Sequence, residues 1–198
     1  MSQSHFFAHL FRLRYIQRWP LMRNALPEDA AQHSFHVAVL THALCTIARE
    51  VFGKALTEED VGRAVLMALF HDAEEVITGD IAAPVKHHDA AILQAMRQIE
   101  ALAAERLLAM VPRSLLPTYR PLIGQTERDA RLMAWVKAAD TLDALLKCRL
   151  ELAVGNRDFA VAHQQLQEKV RGLAMPEVEY FLQHFGQSFE RTLDELQD

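Results

Sequence analysis

Apolar residues recur at helical spacing along almost the whole chain, and this periodicity limits the possible folds more than any other feature of the sequence. A buried helical face repeats its apolar residues every three or four positions, as Val37, Leu40, Leu44, Ile47 and Val51 do. No stretch alternates polar and apolar residues for long enough to predict a strand. The sequence therefore predicts an all-α helical bundle.

Capping residues and helix breakers divide the periodic sequence into predicted helices. Gly53 is a common type of C-terminal residue, and Thr57 can cap the next helix, whose first turn is acidic. The predicted helices span residues 4–17, 29–53, 57–76, 89–110, 114–123, 126–154, 158–173 and 176–196. No repeat and no Ser/Gly/Pro-rich linker divides the chain, so we expect a single domain over residues 1–198.

The charge balance limits the partners that the chain could bind. It has 21 Lys and Arg against 26 Asp and Glu, a formal net charge of −5. Since an extended nucleic-acid surface needs a basic face, we expect no nucleic-acid polymer as a partner. A small anionic substrate remains compatible, because one arginine and a metal can supply local positive charge.

Two further features bear on the compartment. The sequence has neither a signal-peptide pattern nor a run of roughly 18 apolar residues for a membrane span, so we expect a cytoplasmic protein without membrane contact. Cys45 and Cys148 lie within apolar helical patterns and are expected to be reduced core thiols.

Histidine and aspartate interrupt the apolar faces of three predicted helices. His33 lies at the centre of one stripe, and Asp72 shares a face with apolar residues of the next helix. Asp140 and Asp143 intrude on a third stripe. One buried histidine is more often a hydrogen-bonded core residue, and one buried aspartate can pair with an arginine or cap a helix. Inward acids on several helices instead favour a common partner, because an unpaired buried carboxylate is costly.

Imidazole with carboxylate is a ligand set for Zn, Mn, Fe, Co or Ni rather than Ca, so we predict a buried metal site. The adjacent pair His71 and Asp72 is the sharpest local feature. Neighbouring helical residues point about 100° apart, so both reach one ion only where the helix kinks or ends. Gly79 shortly downstream is compatible with such an ending.

The ordered set of His33, the His71-Asp72 doublet and Asp140 resembles the signature of the HD phosphohydrolase superfamily. Longer segments resemble more specifically the bacterial 5'-deoxynucleotidases of the YfbR type. These segments are SHFFAHLFRLRYIQRWPLMRN at residues 4–24, HSFHVAVLTHAL, ALFHDAEEVITGDIAAPVK and WVKAADTLDALLKCRLELAVGN. The similarity covers nearly the whole chain, including its length.

The resemblance implies an HD-type helical bundle that binds one divalent ion through His33, His71, Asp72 and Asp140. It implies hydrolysis of 2'-deoxyribonucleoside 5'-monophosphates by metal-activated water, with little base selectivity. Two His and two Asp do not specify the metal, which could be Co, Mn or another transition metal. Because family members form dimers, the resemblance also implies a homodimer.

The resemblance further assigns residues to the substrate. Arg18 would hold the phosphate, Trp19 would lie near C2' of the sugar, and Asp80 would hydrogen-bond the sugar. Glu75 would be the catalytic carboxylate, acting as base or as acid; without the resemblance, a solvated helix carboxylate would be favoured there.

The sequence departs from the family pattern at a few positions. Gln32 stands where glutamate is expected, Asp143 has no family role that we can assign, and His87 and His88 are expected on the surface. The alternatives are an HD hydrolase of a triphosphate, cyclic dinucleotide or alarmone, a non-catalytic HD sensor, and a structural bundle with unrelated inward acids. The ligand pattern and Glu75 favour the enzyme.

Overall fold

The computed structural model describes residues 3–124 and 129–197, and within them it confirms the all-α prediction. The one extended pairing among these residues is an isolated antiparallel bridge between Gln17 and Asp29. The α-helices are α1 Phe6–Leu10, α2 Ala30–Glu50, α3 Glu58–Leu69, α4 Glu75–Thr78, α5 Ala83–Lys86, α6 Ala90–Leu108, α7 Leu116–Ile123, α8 Ala130–Ala153, α9 Ala160–Gly172 and α10 Pro176–His184. Short 3-10 turns lie at Phe11–Tyr15, Arg157–Phe159, Gly186–Glu190 and Asp194–Leu196.

Reciprocal side-chain caps begin the two helices that lead into the site. The Asp29 carboxylate accepts from the amide of Gln32 at 2.9 Å, and the Gln32 side chain accepts from the amide of Asp29 at 3.1 Å. Glutamate and glutamine both serve at this position of a capping box, so Gln32 keeps the start of α2 in place. Thr57 and Asp60 form the same arrangement at the start of α3.

Helix α3 ends at Leu69, so its predicted extension to residue 76 was wrong. Phe70 leaves the helical conformation at φ −112°, ψ 8°. The Nδ1 of His71 donates to the carbonyl of Ala68 at 2.6 Å. That side chain thus binds a carbonyl that a longer helix would use, and His71 and Asp72 lie in the turn before α4.

Other boundaries differ from the predictions near the chain ends. The first helix gives way to a 3-10 turn after Leu10, and the last α-helix stops at His184 before Gly186. The predicted start of the sixth helix at Thr126 lies outside the described residues; α8 runs from Ala130 and is capped by Asp129.

Helices α2 and α8 form the centre of the bundle, with α3 against both, α10 against α2 and α9 against α8. Fully buried residues such as Leu44, Met67 and Leu142 fill the space between them. Cys45 and Cys148 are buried free thiols. In the described part of the chain, none of the helices combines the length and apolar character that crossing a bilayer requires.

Candidate active site

The start of α2, the turn after α3 and the middle of α8 bring the four predicted metal ligands together. The Nε2 of His33 lies 3.3 Å from Asp140 Oδ1 and 3.5 Å from Asp72 Oδ2. The Nε2 of His71 lies 3.1 Å from the same oxygen of Asp72. One ligand atom each from His33, His71 and Asp72 fall within 4.8 Å of one another, a spacing that a single ion can bridge.

Both histidine rings are oriented through their Nδ1 atoms. His33 Nδ1 lies 2.7 Å from Asp143 Oδ2, and His71 Nδ1 lies 2.6 Å from the carbonyl oxygen of Ala68. Since a carbonyl and a carboxylate accept hydrogen bonds, Nδ1 is the donor in each ring. Nε2 of each ring therefore faces the carboxylates, an arrangement typical of metal-binding histidines.

The charges around His33 fit a cation. Burial by itself lowers the pKa of His33, but hydrogen bonds to Asp140 and Asp143 outweigh burial and raise it to about 10. The second proton would sit on Nε2, between the carboxylates of Asp72 and Asp140. A divalent ion bound there in its place would meet the same oxygens, and nitrogen with carboxylate oxygen suits a transition metal.

The cluster is open on the side of Asp140. The His33 side chain is fully buried, whereas 41% of the Asp140 side chain is exposed. A substrate can therefore reach the ligands past Asp140 while the opposite side is closed by the core.

Asp143 was flagged from the sequence but given no role. Burial by itself raises its pKa, whereas its hydrogen bonds with His33 and His36 lower it to about 2, so Asp143 is ionised. His36 Nδ1 lies 3.5 Å from Asp143 Oδ1 on the outer side of the pair. Asp143 is thus the charged acceptor that fixes the His33 ring.

Arg18 brings a positive charge to the edge of the cluster. Its Nη1 lies 3.7 Å from Asp72 Oδ2, and its Nε lies 3.3 Å from Glu28 Oε1. Its amide also donates to the Glu28 carbonyl at 3.0 Å. Burial lowers the pKa of Arg18, but Asp72, Asp140 and Glu28 outweigh this effect and raise it. The sequence did not identify Glu28, because an acid beside a helix N-terminus is usually explained by the helix dipole.

Trp19 follows Arg18 in an uncommon backbone conformation, with φ +57°. Its amide donates to Asp80 Oδ2 at 3.1 Å, and its carbonyl accepts from the amide of Met22 at 3.0 Å and from Asn24 Nδ2 at 3.2 Å. Its ring centroid lies 5.3 Å from that of Phe159. Trp19 and Asp80 are therefore neighbours, although they are far apart in the sequence.

Glu75 opens α4, one turn beyond the His71-Asp72 turn. Burial raises its pKa above the usual range, and the carboxylates of Asp72 and Asp80 raise it further. Its Oε2 is buried and has no hydrogen-bond partner among residues 3–124 and 129–197. A carboxyl group in these surroundings favours the protonated form, which can donate a proton.

Outside the cluster, His87 and His88 are exposed, as expected. The short helix α5, Ala83–Lys86, was not predicted, because four residues give too little periodicity to recognise.

The sequence of this chain is similar to those of known 5'-deoxynucleotidases. A family model described as 5'-deoxynucleotidase YfbR-like matches residues 5–189. A 5'-deoxynucleotidase of Vibrio cholerae is 44% identical over 196 residues, covering 99% of this chain and 100% of the relative. The 5'-deoxynucleotidase YfbR of Shigella flexneri is 43% identical over 196 residues, covering 99% of this chain and 97% of that protein.

Two solved structures share the fold at low sequence identity. An HD-domain phosphohydrolase from Listeria innocua has a TM-score of 0.80 at 22% identity, covering 93% of this chain and 88% of that one. The cyanophage S-2L HD phosphohydrolase, bound to dA and one catalytic Zn²⁺ ion, has a TM-score of 0.64 at 19% identity, covering 97% and 99%.

Proposed function

Because the chain belongs to the 5'-deoxynucleotidase YfbR-like family, we propose that it hydrolyses 2'-deoxyribonucleoside 5'-monophosphates to the deoxynucleoside and phosphate. One observation carries the proposal: the half-buried guanidinium of Arg18 lies beside the carboxylate and imidazole cluster that contains His33 and Asp72. A phosphate monoester is a dianion, so a site that hydrolyses it needs positive charge at this place.

We assign His33, His71, Asp72 and Asp140 as the residues that hold a divalent metal ion. When bound, such an ion supplies a Lewis acid for a phosphoryl oxygen and lowers the pKa of a water molecule towards neutrality. The cyanophage protein, which shares this fold, is bound to one catalytic Zn²⁺ ion, and this supports the assignment of a metal here. For this chain, Co²⁺, Mn²⁺ or another transition metal remains part of the proposal.

Arg18 binds the phosphate in this scheme. Its planar guanidinium offers parallel donors to two phosphate oxygens, and Glu28 holds it from behind at 3.3 Å. The ion pair with Glu28 keeps the Arg18 side chain extended towards Asp72. Arg18 therefore loses little conformational entropy when the phosphate binds.

Glu75 acts as the general acid. The residue begins α4, one turn beyond Asp72, and burial raises its pKa, so we assign it to protonate the 5'-oxygen of the leaving sugar. When the bond between phosphorus and the 5'-oxygen breaks, this proton prevents an unfavourable sugar alkoxide from forming.

Trp19 and Asp80 bind the sugar. The indole of Trp19 lies against C2' and excludes an added hydroxyl by contact, while the Asp80 carboxylate accepts from a sugar hydroxyl. Because Asp80 also accepts from the Trp19 amide, the two sugar contacts are set relative to each other. The homodimer and the cytoplasmic location stay predictions from the sequence.

Phosphate release from chelator-stripped protein tests the proposal. The substrates are deoxyribo- and ribonucleoside 5'-monophosphates and deoxynucleoside 3'-monophosphates, each with Co²⁺, Mn²⁺, Mg²⁺ or Zn²⁺. We expect metal-dependent release from the deoxy-5' set and little from the others. Equal release from ribonucleotides would refute the exclusion of the 2'-hydroxyl by Trp19. No release with any metal would refute the proposed nucleotidase activity.

A further inference from the structure

The backbone of Trp19 is strained, and the surrounding residues must hold it. A bulky residue at positive φ is strained and persists only when its neighbours fix it. Asp80 fixes the amide of Trp19 and Asn24 fixes its carbonyl, at 3.1 and 3.2 Å. These contacts hold the backbone, so the indole ring needs a support of its own.

Phe159 is the aromatic residue that packs against this ring. It lies in the 3-10 turn after α8, is fully buried, and meets Trp19 at a centroid distance of 5.3 Å and an interplanar angle of 57°. The ammonium of Lys147 lies 5.5 Å from the centroid of the Phe159 ring. Phe159 is therefore held between the end of α8 and Trp19.

A buried polar network fixes the Trp19 loop, residues 16–29 between the first 3-10 turn and α2, to the same end of α8. The fully buried Glu151 carboxylate accepts from the amides of Ala25 and Leu26 at 3.0 Å each, and from Asn156 Nδ2 at 2.7 Å. Lys147 pairs with Glu151 at 2.5 Å and also donates to the Leu26 carbonyl. The proposed chemistry uses neither Lys147 nor Glu151, so this network needs another explanation, and its contacts are with the Trp19 loop.

We propose that Phe159 is a positioning residue that sets the selectivity of this site for 2'-deoxy sugars by holding the Trp19 indole against the sugar. The inference rests on the proposed function, in which Trp19 excludes the 2'-hydroxyl. Exclusion by contact works only if the excluding wall cannot move, since a shift of about 1 Å would make room for a hydroxyl. Phe159 supplies that rigidity from behind the ring.

The test is the ratio of kcat/KM for a deoxyribonucleoside 5'-monophosphate to kcat/KM for the matching ribonucleotide. Phe159→Leu keeps an apolar side chain but removes the aromatic ring that contacts Trp19, and we expect the ratio to fall about tenfold, through a gain on the ribonucleotide. The affinity for Co²⁺ should stay within about twofold, because Phe159 touches none of the proposed ligands.

Phe181→Leu is the matched control. Phe181 is also buried and packs against the rings of Phe185 and Phe189, with centroids 5.2 and 6.3 Å away. It should lose similar stability and keep the wild-type ratio. A ratio that fell equally in both variants would mean general loosening of the core and would overturn the proposal.

A second variant covers the case in which Phe159→Leu does not fold. Asn24 is only half-buried, so Asn24→Ala should fold, and it removes a hydrogen bond that holds the Trp19 carbonyl. We expect the same direction of change. The chain has two tryptophans, so a Trp135→Phe background leaves Trp19 as the only fluorescent indole. In that background Phe159→Leu should increase acrylamide quenching, because the Trp19 ring is less well covered.

Wild type and Trp19→Ala separate failure of this inference from failure of the proposed function. If wild type discriminates and Trp19→Ala does not, an unchanged ratio in Phe159→Leu and Asn24→Ala overturns the role of Phe159 alone. If wild type releases no phosphate, or treats both sugars alike, Trp19 does not exclude the 2'-hydroxyl and the inference falls with it.

Discussion

Replacing Asp143 with alanine should weaken metal binding although Asp143 is not one of the proposed ligands. Its carboxylate accepts from His33 Nδ1 at 2.7 Å, and both side chains are buried. Without this acceptor, the ring can rotate or move its proton to Nε2, and either change removes Nε2 as a ligand. The perturbation therefore acts on the metal through the orientation of one imidazole.

The size of the effect follows from how completely Asp143 controls the ring. Removing a hydrogen-bond partner of a metal-bound histidine costs about 10- to 100-fold in metal affinity, equivalent to about 1.4–2.7 kcal/mol. Glu28 Oε1, at 3.6 Å from the same Nδ1, is the substitute acceptor and favours the lower end of this range. Asp143→Asn retains an oxygen acceptor and should lose less affinity than Asp143→Ala.

Titration of chelator-stripped protein with Co²⁺ by calorimetry measures the dissociation constant directly. Glu151→Gln is the matched control, because Glu151 is also a buried acid on α8 but contacts no proposed ligand. We expect its metal affinity to stay at the wild-type value. An Asp143→Ala protein that folds and binds Co²⁺ within about twofold of wild type would refute the assignment of Asp143 as the residue that orients His33.

The remaining predictions concern the phosphate, the sugar, the acid stability and the assembly. Arg18→Lys loses the planar fork, so KM for the deoxynucleotide should rise roughly tenfold with unchanged Co²⁺ affinity; an unchanged KM would exclude the phosphate contact. Trp19→Ala should narrow the deoxy-to-ribo ratio of kcat/KM, and a wild-type ratio would remove Trp19 from the account. Burial by itself raises the pKa of Glu151, but hydrogen bonds, first that from Lys147, lower it to about 2. The ionised Glu151 carboxylate therefore stabilises the folded state by on the order of 3 kcal/mol. This contribution is fully present above the unfolded pKa of about 4.3 and is lost as the pH falls to about 2. In urea unfolding the gap between wild type and Glu151→Gln should therefore shrink over that pH window, whereas a constant gap would contradict the charge argument. Light scattering should give twice the 22.5 kDa chain mass, and a monomer at micromolar concentration would rule out the homodimer.

The helices were largely predictable because their signals are local. Asp29 and Thr57 cap α2 and α3 within a residue of the predicted starts, and the apolar periodicity carries each helix onward. The end of α3 was not predictable in this way, since Val76 continues the apolar pattern beyond the helix. A hydrogen bond between His71 and the Ala68 carbonyl decides that boundary, and such competition does not alter periodicity.

The sequence predicted that Asp72, Asp140 and Asp143 point inward, but it did not predict which atom of His33 each of them contacts. Asp140 and Asp143 have the same residue type and similar positions on one stripe, yet one faces His33 Nε2 and the other faces Nδ1. The difference depends on the direction of a ring contributed by another helix. Trp19 is similar, because its positive φ is fixed by Asp80 and Asn24 and leaves no pattern in the sequence around it.

Helix α8 contributes both to the metal cluster and to the anchor of the loop that contains Trp19. Asp140 lies at the cluster, and Glu151, which anchors the Trp19 loop, follows eleven positions later, about 16 Å along the helix axis. Glu151 thus lies far from the ligands along α8, although the loop that it anchors brings Arg18 and Trp19 back to the cluster. A substitution in the turn after α8, such as one at Phe159, can therefore reach the proposed sugar-binding residue Trp19 without touching a metal ligand.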